Sequence, residues 1–143
     1  MGTSFKEIYE RAIFRFSDYE ILKQKVKDRE DILEKYLISA KTDFTHACDI
    51  DLSCDYTSKE FVEDLGDEII EILALGISYY WLSYQALNSK ALKNVLNSKD
   101  YYYYSPANLL KEVQTLRRTV RDEFNGKMRK YSFDHNSVAN LRP

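Results

Sequence analysis

The chain contains few of the residues that interrupt helices. Its 143 residues include only four glycines and two prolines. Because glycine and proline often end helices or make turns, their scarcity predicts long helices. No segment reads as a half-buried strand with alternating apolar and polar residues, so no strand is predicted. The length is that of one domain.

Cysteine, net charge and long apolar runs are also scarce. The two cysteines, Cys48 and Cys54, are too few for a disulfide scaffold and indicate reduced thiols in a cytosol. A net charge of −2 gives no strong general attraction for nucleic acid or anionic lipid. The longest apolar stretch, residues 69–87, is interrupted by polar side chains, which predicts a buried helix and no membrane partner. No signal peptide is expected, because no apolar run stands near the first residue.

Capping residues and apolar spacing predict an all-α protein. The expected fold is a small bundle of three main helices plus two or three short ones over residues 1–131, with an extended C-terminal arm over 132–143. The helices are expected from Ser4 to Phe16, briefly after Ser17, from about Asp28 to Ala47, from about Asp67 to Leu87, over 91–97, and from Pro106 to about Tyr131.

The apolar residues of the three main helices predict how they pack. The helix from Asp67 is apolar around most of its circumference, which indicates a central position. Gly76 in its middle costs about 1 kcal/mol relative to alanine, so another helix is expected to cross closely there. The two flanking helices carry apolar stripes made of Leu33, Leu37, Ala40, Phe44 and Ala47, and of Leu109, Val113, Leu116, Val120 and Phe124.

One segment has the ligand spacing of a calcium-binding loop. Its candidate oxygen ligands are Asp49, Asp51, Ser53, Asp55 and Glu60. Cys54 stands where the sharp turn of such a loop needs glycine, and Tyr56 replaces a small aliphatic residue. A solvated acidic loop is therefore the favoured interpretation. No common zinc, phosphate-loop or nucleophile motif is found, so no enzyme, catalytic residue, metal or cofactor is predicted.

Charge is unevenly distributed along the chain. Residues 49–71 contain nine acidic residues and one basic residue, whereas residues 108–143 contain eight basic and four acidic residues. Six basic residues are candidates for contacts with DNA phosphates: Arg117, Arg118, Arg121, Lys127, Arg129 and Lys130. The favoured alternative is a basic surface complementary to the acidic segment, which suits contact between copies of the chain and places Arg117, Arg118 and Arg121 at the subunit interface.

Four consecutive tyrosines, Tyr101, Tyr102, Tyr103 and Tyr104, precede the last helix. Neighbouring side chains point to different faces, so some of these rings are expected to face outward. They either form a seam between subunits, or two of them close the end of the bundle while two lie on its surface.

Three stretches of the chain resemble a known family. They are DLS at 51–53, EFVEDLGDEIIEILALGISYYWL at 60–82 and NVLNSKDYYYYSPANLLKEVQTLR at 94–117. Over about residues 49–128 the chain resembles small helical proteins encoded among the structural genes of tailed phages and prophages of low-GC Gram-positive bacteria. That family is associated with head–tail connection, as an adaptor beneath the portal.

The resemblance implies a virion structural protein of the neck, made in the host cytoplasm. It implies a ring of copies, commonly twelve, that extends the portal channel and carries a head-completion (stopper) or tail-terminator protein. Double-stranded DNA would pass through the lumen without sequence-specific binding. The C-terminal arm would dock on the portal, with Phe133, Val138 and Leu141 as anchors. The alternative is a regulatory binding module that responds to calcium or binds DNA.

Overall fold

The computed structural model describes residues 2–16, 26–87 and 106–135. These residues form an all-α bundle with one very short β-hairpin, which confirms the predicted fold class. The elements are α1 (Phe5–Phe16), α2 (Val26–Cys48), β1 (Cys54–Asp55), β2 (Glu60–Phe61), α3 (Asp67–Leu87) and α4 (Pro106–His135). The short helical pieces predicted after Ser17 and over 91–97 lie outside the described residues.

Helix α3 is the centre of the bundle and contacts α1, α2 and α4. Its side chains are buried without a break from Ile72 to Ser78. The Ser78 hydroxyl donates a hydrogen bond to the carbonyl oxygen of Ala74 at 3.1 Å, which satisfies the polar group inside the core. The central position predicted from the apolar circumference of this helix is confirmed.

Gly76 lies where both flanking helices approach α3. A Cβ atom built there would come within 2.4 Å of Ala40 Cβ on α2 and 3.0 Å of the Phe124 ring on α4. The expected close crossing is confirmed, and it involves two helices at once. Ala40 and Phe124 are both buried in the packed core, so neither can move aside easily to make room for a side chain at residue 76.

Each apolar stripe differs from the prediction at one residue. Ala47 is exposed and Cys48 is buried in its place. On α4, Leu116 is 50% exposed, and the adjacent Arg117 is half-buried instead. The prediction took the nearest apolar residue at each turn. The packed face of α4 instead includes Arg117, a charged residue that apolar spacing does not identify.

The hairpin corrects the prediction that no strand is present. Cys54 pairs with Phe61, and Asp55 pairs with Glu60. Ser4 forms an isolated antiparallel bridge to Glu60, so the N-terminal segment lies along β2. Two-residue strands are too short to show an alternating pattern, and their pairing depends on the tertiary contact with the N-terminus.

The N-terminal segment is attached to the hairpin by several hydrogen bonds. Thr3 accepts from the Phe61 N–H at 2.8 Å through its carbonyl oxygen and from the Leu65 N–H at 2.7 Å through its hydroxyl. The Phe5 N–H donates to the Lys59 carbonyl oxygen at 2.9 Å. Helix α1 then begins with the predicted Ser4 cap, whose Oγ accepts from the Glu7 N–H at 3.4 Å.

Helix α4 continues to His135, beyond the predicted end near Tyr131. Residues 132–135, assigned to an extended arm, are therefore helical. His135 stacks on Tyr131 at 3.9 Å between ring centroids, and Tyr131 packs edge-on against Phe44 of α2. These aromatic contacts support the last turn, and they are not visible in the spacing of apolar residues. Residues 136–143 lie outside the described part of the chain.

Replacing Gly76 by alanine tests the helix crossing. We expect Gly76→Ala to lower the free energy of unfolding by about 1–3 kcal/mol, because overpacking outweighs the gain in helix propensity. Gly126 on α4 is the matched control, since a Cβ there meets nothing within 4 Å. Gly126→Ala should raise the free energy of unfolding by up to about 1 kcal/mol. Urea unfolding followed by circular dichroism measures both, and equal effects would contradict the crossing.

Candidate interaction surfaces

The hairpin and the start of α3 form an acidic end of the bundle. Its exposed carboxylates belong to Asp49, Asp51, Asp55, Glu63, Asp64, Asp67 and Glu68. The Lys59 ammonium, on the turn of the hairpin, pairs with Glu34 of α2 at 2.5 Å. This contact holds the hairpin against the bundle, so the fold presents the acidic end as a defined surface.

The segment predicted as a possible calcium loop is folded as this hairpin. Asp55 Oδ1 accepts hydrogen bonds from the N–H groups of Thr57 at 2.8 Å and Ser58 at 3.4 Å. Asp51 accepts from the Ser53 hydroxyl at 2.6 Å. Within residues 2–16, 26–87 and 106–135, no group of three or more His, Cys, Asp or Glu side chains is gathered as a metal ion requires. The five candidate calcium ligands are instead spread along the hairpin and the segment that leads into it.

Hydrogen bonds to the backbone hold the pKa of the Asp55 carboxyl below its ordinary value, because the N–H groups of Thr57 and Ser58 favour the charged form. The turn is closed by the Lys59 N–H, which donates to the Asp55 carbonyl oxygen at 2.8 Å. Lys59 itself has a positive φ of 60°. Asp55 therefore supports a turn that contains a left-handed residue other than glycine.

Titration of Asp55 gives a test of this turn. A lowered pKa in the folded state adds stability above the ordinary carboxyl pKa near 4, and this stability is lost as the pH falls through the folded value. Asp55→Asn should be slightly less stable than the wild type near neutral pH, and the two should converge as the pH falls through the folded pKa of Asp55. Chemical unfolding across this range measures the difference. Asp64→Asn, which makes the same substitution at an exposed loop position outside this turn, is the matched control.

A charged cleft of about 420 Å³ lies beside the start of α3. Its lining consists of Arg11, Asp67, Glu68, Glu71, Lys127, Lys130 and Asp134. Arg11 lies 3.5 Å from Asp67 and 3.7 Å from Glu71. Exposed pairs of this kind contribute about 0–1 kcal/mol each. Lys127 and Lys130 of the basic helix thus lie in the same cleft as carboxylates of the acidic segment within one subunit, and Arg11 of α1 pairs with two of those carboxylates.

Arg117 is held inside the subunit. Its Nε donates to the Ser83 hydroxyl at 2.8 Å, and its terminal nitrogen donates to the Tyr79 hydroxyl at 3.3 Å. The guanidinium also stands over the Tyr79 ring at 5.4 Å from the centroid. The side chain predicted to face another subunit is therefore committed to joining α4 to α3.

A second polar contact joins α3 to α2. The Tyr80 hydroxyl donates to Asp43 Oδ2, and burial followed by the Asp43 carboxylate raises the pKa of Tyr80. Burial, followed by the nearby Tyr84, raises the pKa of Tyr36 to about 12. Two tyrosines of α3 thus connect helices through their hydroxyl groups, Tyr80 to α2 and Tyr79 to α4. The sequence signal was the adjacent pair Tyr79 and Tyr80, which places one hydroxyl on each side of α3.

Replacing Arg117 by methionine tests whether its hydrogen bonds to α3 stabilise the subunit. We expect Arg117→Met to lower the free energy of unfolding by about 1–2 kcal/mol, because the methionine retains apolar packing and loses the hydrogen bonds. Arg118→Met, one residue away on the exposed side, should change it by less than about 0.5 kcal/mol. Thermal and urea unfolding compare the two variants. Equal values would show that Arg117 has no special role within the subunit.

The outward side of α4 carries a stripe of unpaired cations. Lys111, Arg118 and Arg129 are exposed, and their spacing of seven and eleven residues places them on one side of the helix. None of the three forms an ion pair or a side-chain hydrogen bond with any described residue. Arg121 lies beside them, with a side chain 46% exposed and 3.9 Å from Asp122. We call Lys111, Arg118 and Arg129 the basic stripe. The sequence interpretation missed Lys111, although its seven-residue spacing from Arg118 was a usable signal.

The remaining predicted contact residues have mixed outcomes. Phe133 is 69% exposed in the last turn of α4, so it projects from a helix and not from an extended arm. Tyr101, Tyr102, Tyr103, Tyr104, Val138 and Leu141 lie outside the described residues. The described helices include none that is long and apolar enough to cross a membrane.

The sequence and the fold were compared with known protein families, curated proteins and solved structures. No family model, curated protein or solved structure matches this chain. The functional interpretation therefore depends on the geometry of the molecule and on the resemblance of its sequence motifs.

Proposed function

We propose that this chain is a structural protein of a tailed-phage virion, a head–tail adaptor that assembles into a ring of copies below the portal. The observation that carries the proposal is the basic stripe, three exposed cations without a partner among the described residues, on a molecule that also exposes an acidic end. No catalytic role and no cofactor are proposed.

The two charged surfaces suit contact between copies. The acidic end lies at the hairpin and the start of α3, whereas the basic stripe runs along the side of α4. A contact between the end of one copy and the side of the next joins two different surfaces. Such heterologous contacts close into a ring when the rotation between copies allows it. Because exposed ion pairs are individually weak, they would orient the copies while aromatic contacts supply most of the affinity.

The proposed aromatic contacts involve Tyr101, Tyr102, Tyr103 and Tyr104 as the seam between subunits. Residues 132–143 are proposed to reach the portal, with Phe133 on the last helical turn and Val138 and Leu141 beyond it as anchors. The ring, expected to have twelve copies, would extend the DNA channel and carry the stopper or tail-terminator protein. These assignments rest on the resemblance and place the protein in the neck of the virion, after synthesis in the host cytoplasm.

Reversal of two charges in the stripe tests the assembly. We expect the double variant Arg118→Glu, Arg129→Glu to weaken self-association at least about tenfold, because attraction to the acidic end becomes repulsion. Mass photometry at low and high salt measures the oligomer, and electron microscopy shows whether it is a closed ring. The wild-type oligomer should also weaken as salt rises.

The control makes the same change of charge elsewhere. Lys6 on α1 and Lys35 on α2 are exposed, and Lys6→Glu, Lys35→Glu should leave the oligomer intact. A wild-type protein that stays monomeric and binds no portal protein would contradict the proposed function. A ring that both double variants form equally well would contradict only the role of the stripe.

DNA binding is the second candidate, because the same unpaired cations suit phosphate contacts. Exposed carboxylates on α4, such as Asp122, weigh against it. Salt-dependent binding to duplex DNA that is lost in the Arg118→Glu, Arg129→Glu protein, without any self-association of the wild type, would favour this candidate.

A further inference from the structure

Three side chains meet between α2 and the hairpin. The Lys41 ammonium donates a hydrogen bond to Cys54 Sγ at 3.2 Å and another to the Tyr56 hydroxyl at 3.1 Å. It also lies 5.2 Å from the centroid of the Tyr56 ring. Tyr56 is in turn placed by Phe5, whose ring packs edge-on against it at 5.9 Å between centroids. The amine is therefore positioned against the thiol from more than one side.

The surroundings of this cluster keep the amine and the thiol together. Lys41 and Cys54 are both half-buried. Burial acts to lower the pKa of Lys41, but its hydrogen bonds to Tyr56 and Cys54 outweigh that effect, so the pKa stands above its ordinary value. Two reactive groups held in contact behave as if at very high concentration, which favours a reaction between them.

The other cysteine provides a contrast inside the same molecule. Cys48 is buried, and its thiol donates a hydrogen bond to the carbonyl oxygen of Met128 at 3.1 Å. Burial raises the pKa of Cys48, which makes its thiol less reactive. The two thiols should therefore respond differently to oxidation.

We propose that Lys41 and Cys54 form a redox-dependent crosslink in which one oxygen atom bridges Nζ and Sγ. The Lys41 ammonium first releases one proton to solvent. The resulting neutral amine loses one hydrogen and the thiol loses one hydrogen, while the O–O bond of molecular oxygen breaks and an N–O bond and an O–S bond form. Molecular oxygen is the oxidant and accepts four electrons. One of its atoms becomes the bridge, and the other leaves as water with the two hydrogens.

The crosslink would join α2 covalently to β1 across a sequence separation of 13 residues. The hairpin has strands of only two residues and depends on tertiary contacts, so a covalent bond to α2 would restrict its opening. Oxidation would then add a covalent restraint to the hairpin part of the acidic end, and reduction would remove it. This inference does not depend on the proposed function.

Mass spectrometry of the full chain tests the proposal. Protein kept in air-saturated buffer is compared with protein kept under dithiothreitol. We expect the oxidised sample to gain one oxygen and lose two hydrogens, with the modification mapped to a peptide pair that joins Lys41 to Cys54. Dithiothreitol should restore the original mass, and Cys48 should remain unmodified in the same sample.

Two variants separate the crosslink from ordinary thiol oxidation. Lys41→Arg retains a charged donor beside the thiol, and Cys54→Ser retains a small polar side chain, and both should lose the crosslinked species completely. Urea unfolding confirms that each variant is folded, and the oxidised wild type should have the higher midpoint. A sulfenic or sulfinic acid without crosslinking, a direct N–S bond, a disulfide, or an unmodified Cys54 would each overturn the proposal.

Discussion

The close approach of α2 and α4 to α3 at Gly76 is the contact on which the rest of the bundle depends. Ala40 from one side and Phe124 from the other occupy space that any side chain at residue 76 would need. Because both neighbours are buried, the contact at Gly76 fixes the distances from α3 to α2 and to α4. The polar contacts further along α3, from Tyr80 to Asp43 and from Arg117 to Ser83, require that spacing in order to form.

The hairpin end depends on a different set of contacts. Strands of two residues have no independent stability, and this pair is supported by the N-terminal segment and by the ion pair from Lys59 to Glu34. The Thr3 side chain joins this segment to the residues that lead into α3. The acidic surface is therefore built from chain segments that are distant in sequence, and its position relative to the bundle is a tertiary property.

Charge on this molecule is divided between compensated and uncompensated groups. Arg11, Lys127 and Lys130 share a cleft with carboxylates of α3, whereas the basic stripe faces outward without partners among the described residues. The net charge counted from the sequence does not distinguish between these two groups of cations. Only the uncompensated ones are available to attract another molecule, and they supply the main physical support for a role in assembly.

The sequence by itself determined the helical class, the bounds of α1 and α3, the central position of α3 and the need for a close crossing at Gly76. These features follow from local capping and from the spacing of apolar residues, which need no knowledge of the partner helix. The tertiary structure alone decided that Arg117 lies inside the subunit, that Leu116 is exposed and that residues 49–60 form a hairpin. Those outcomes depend on which atoms of distant segments meet, such as Tyr79 and Ser83 with Arg117, and no periodicity within one segment contains that information.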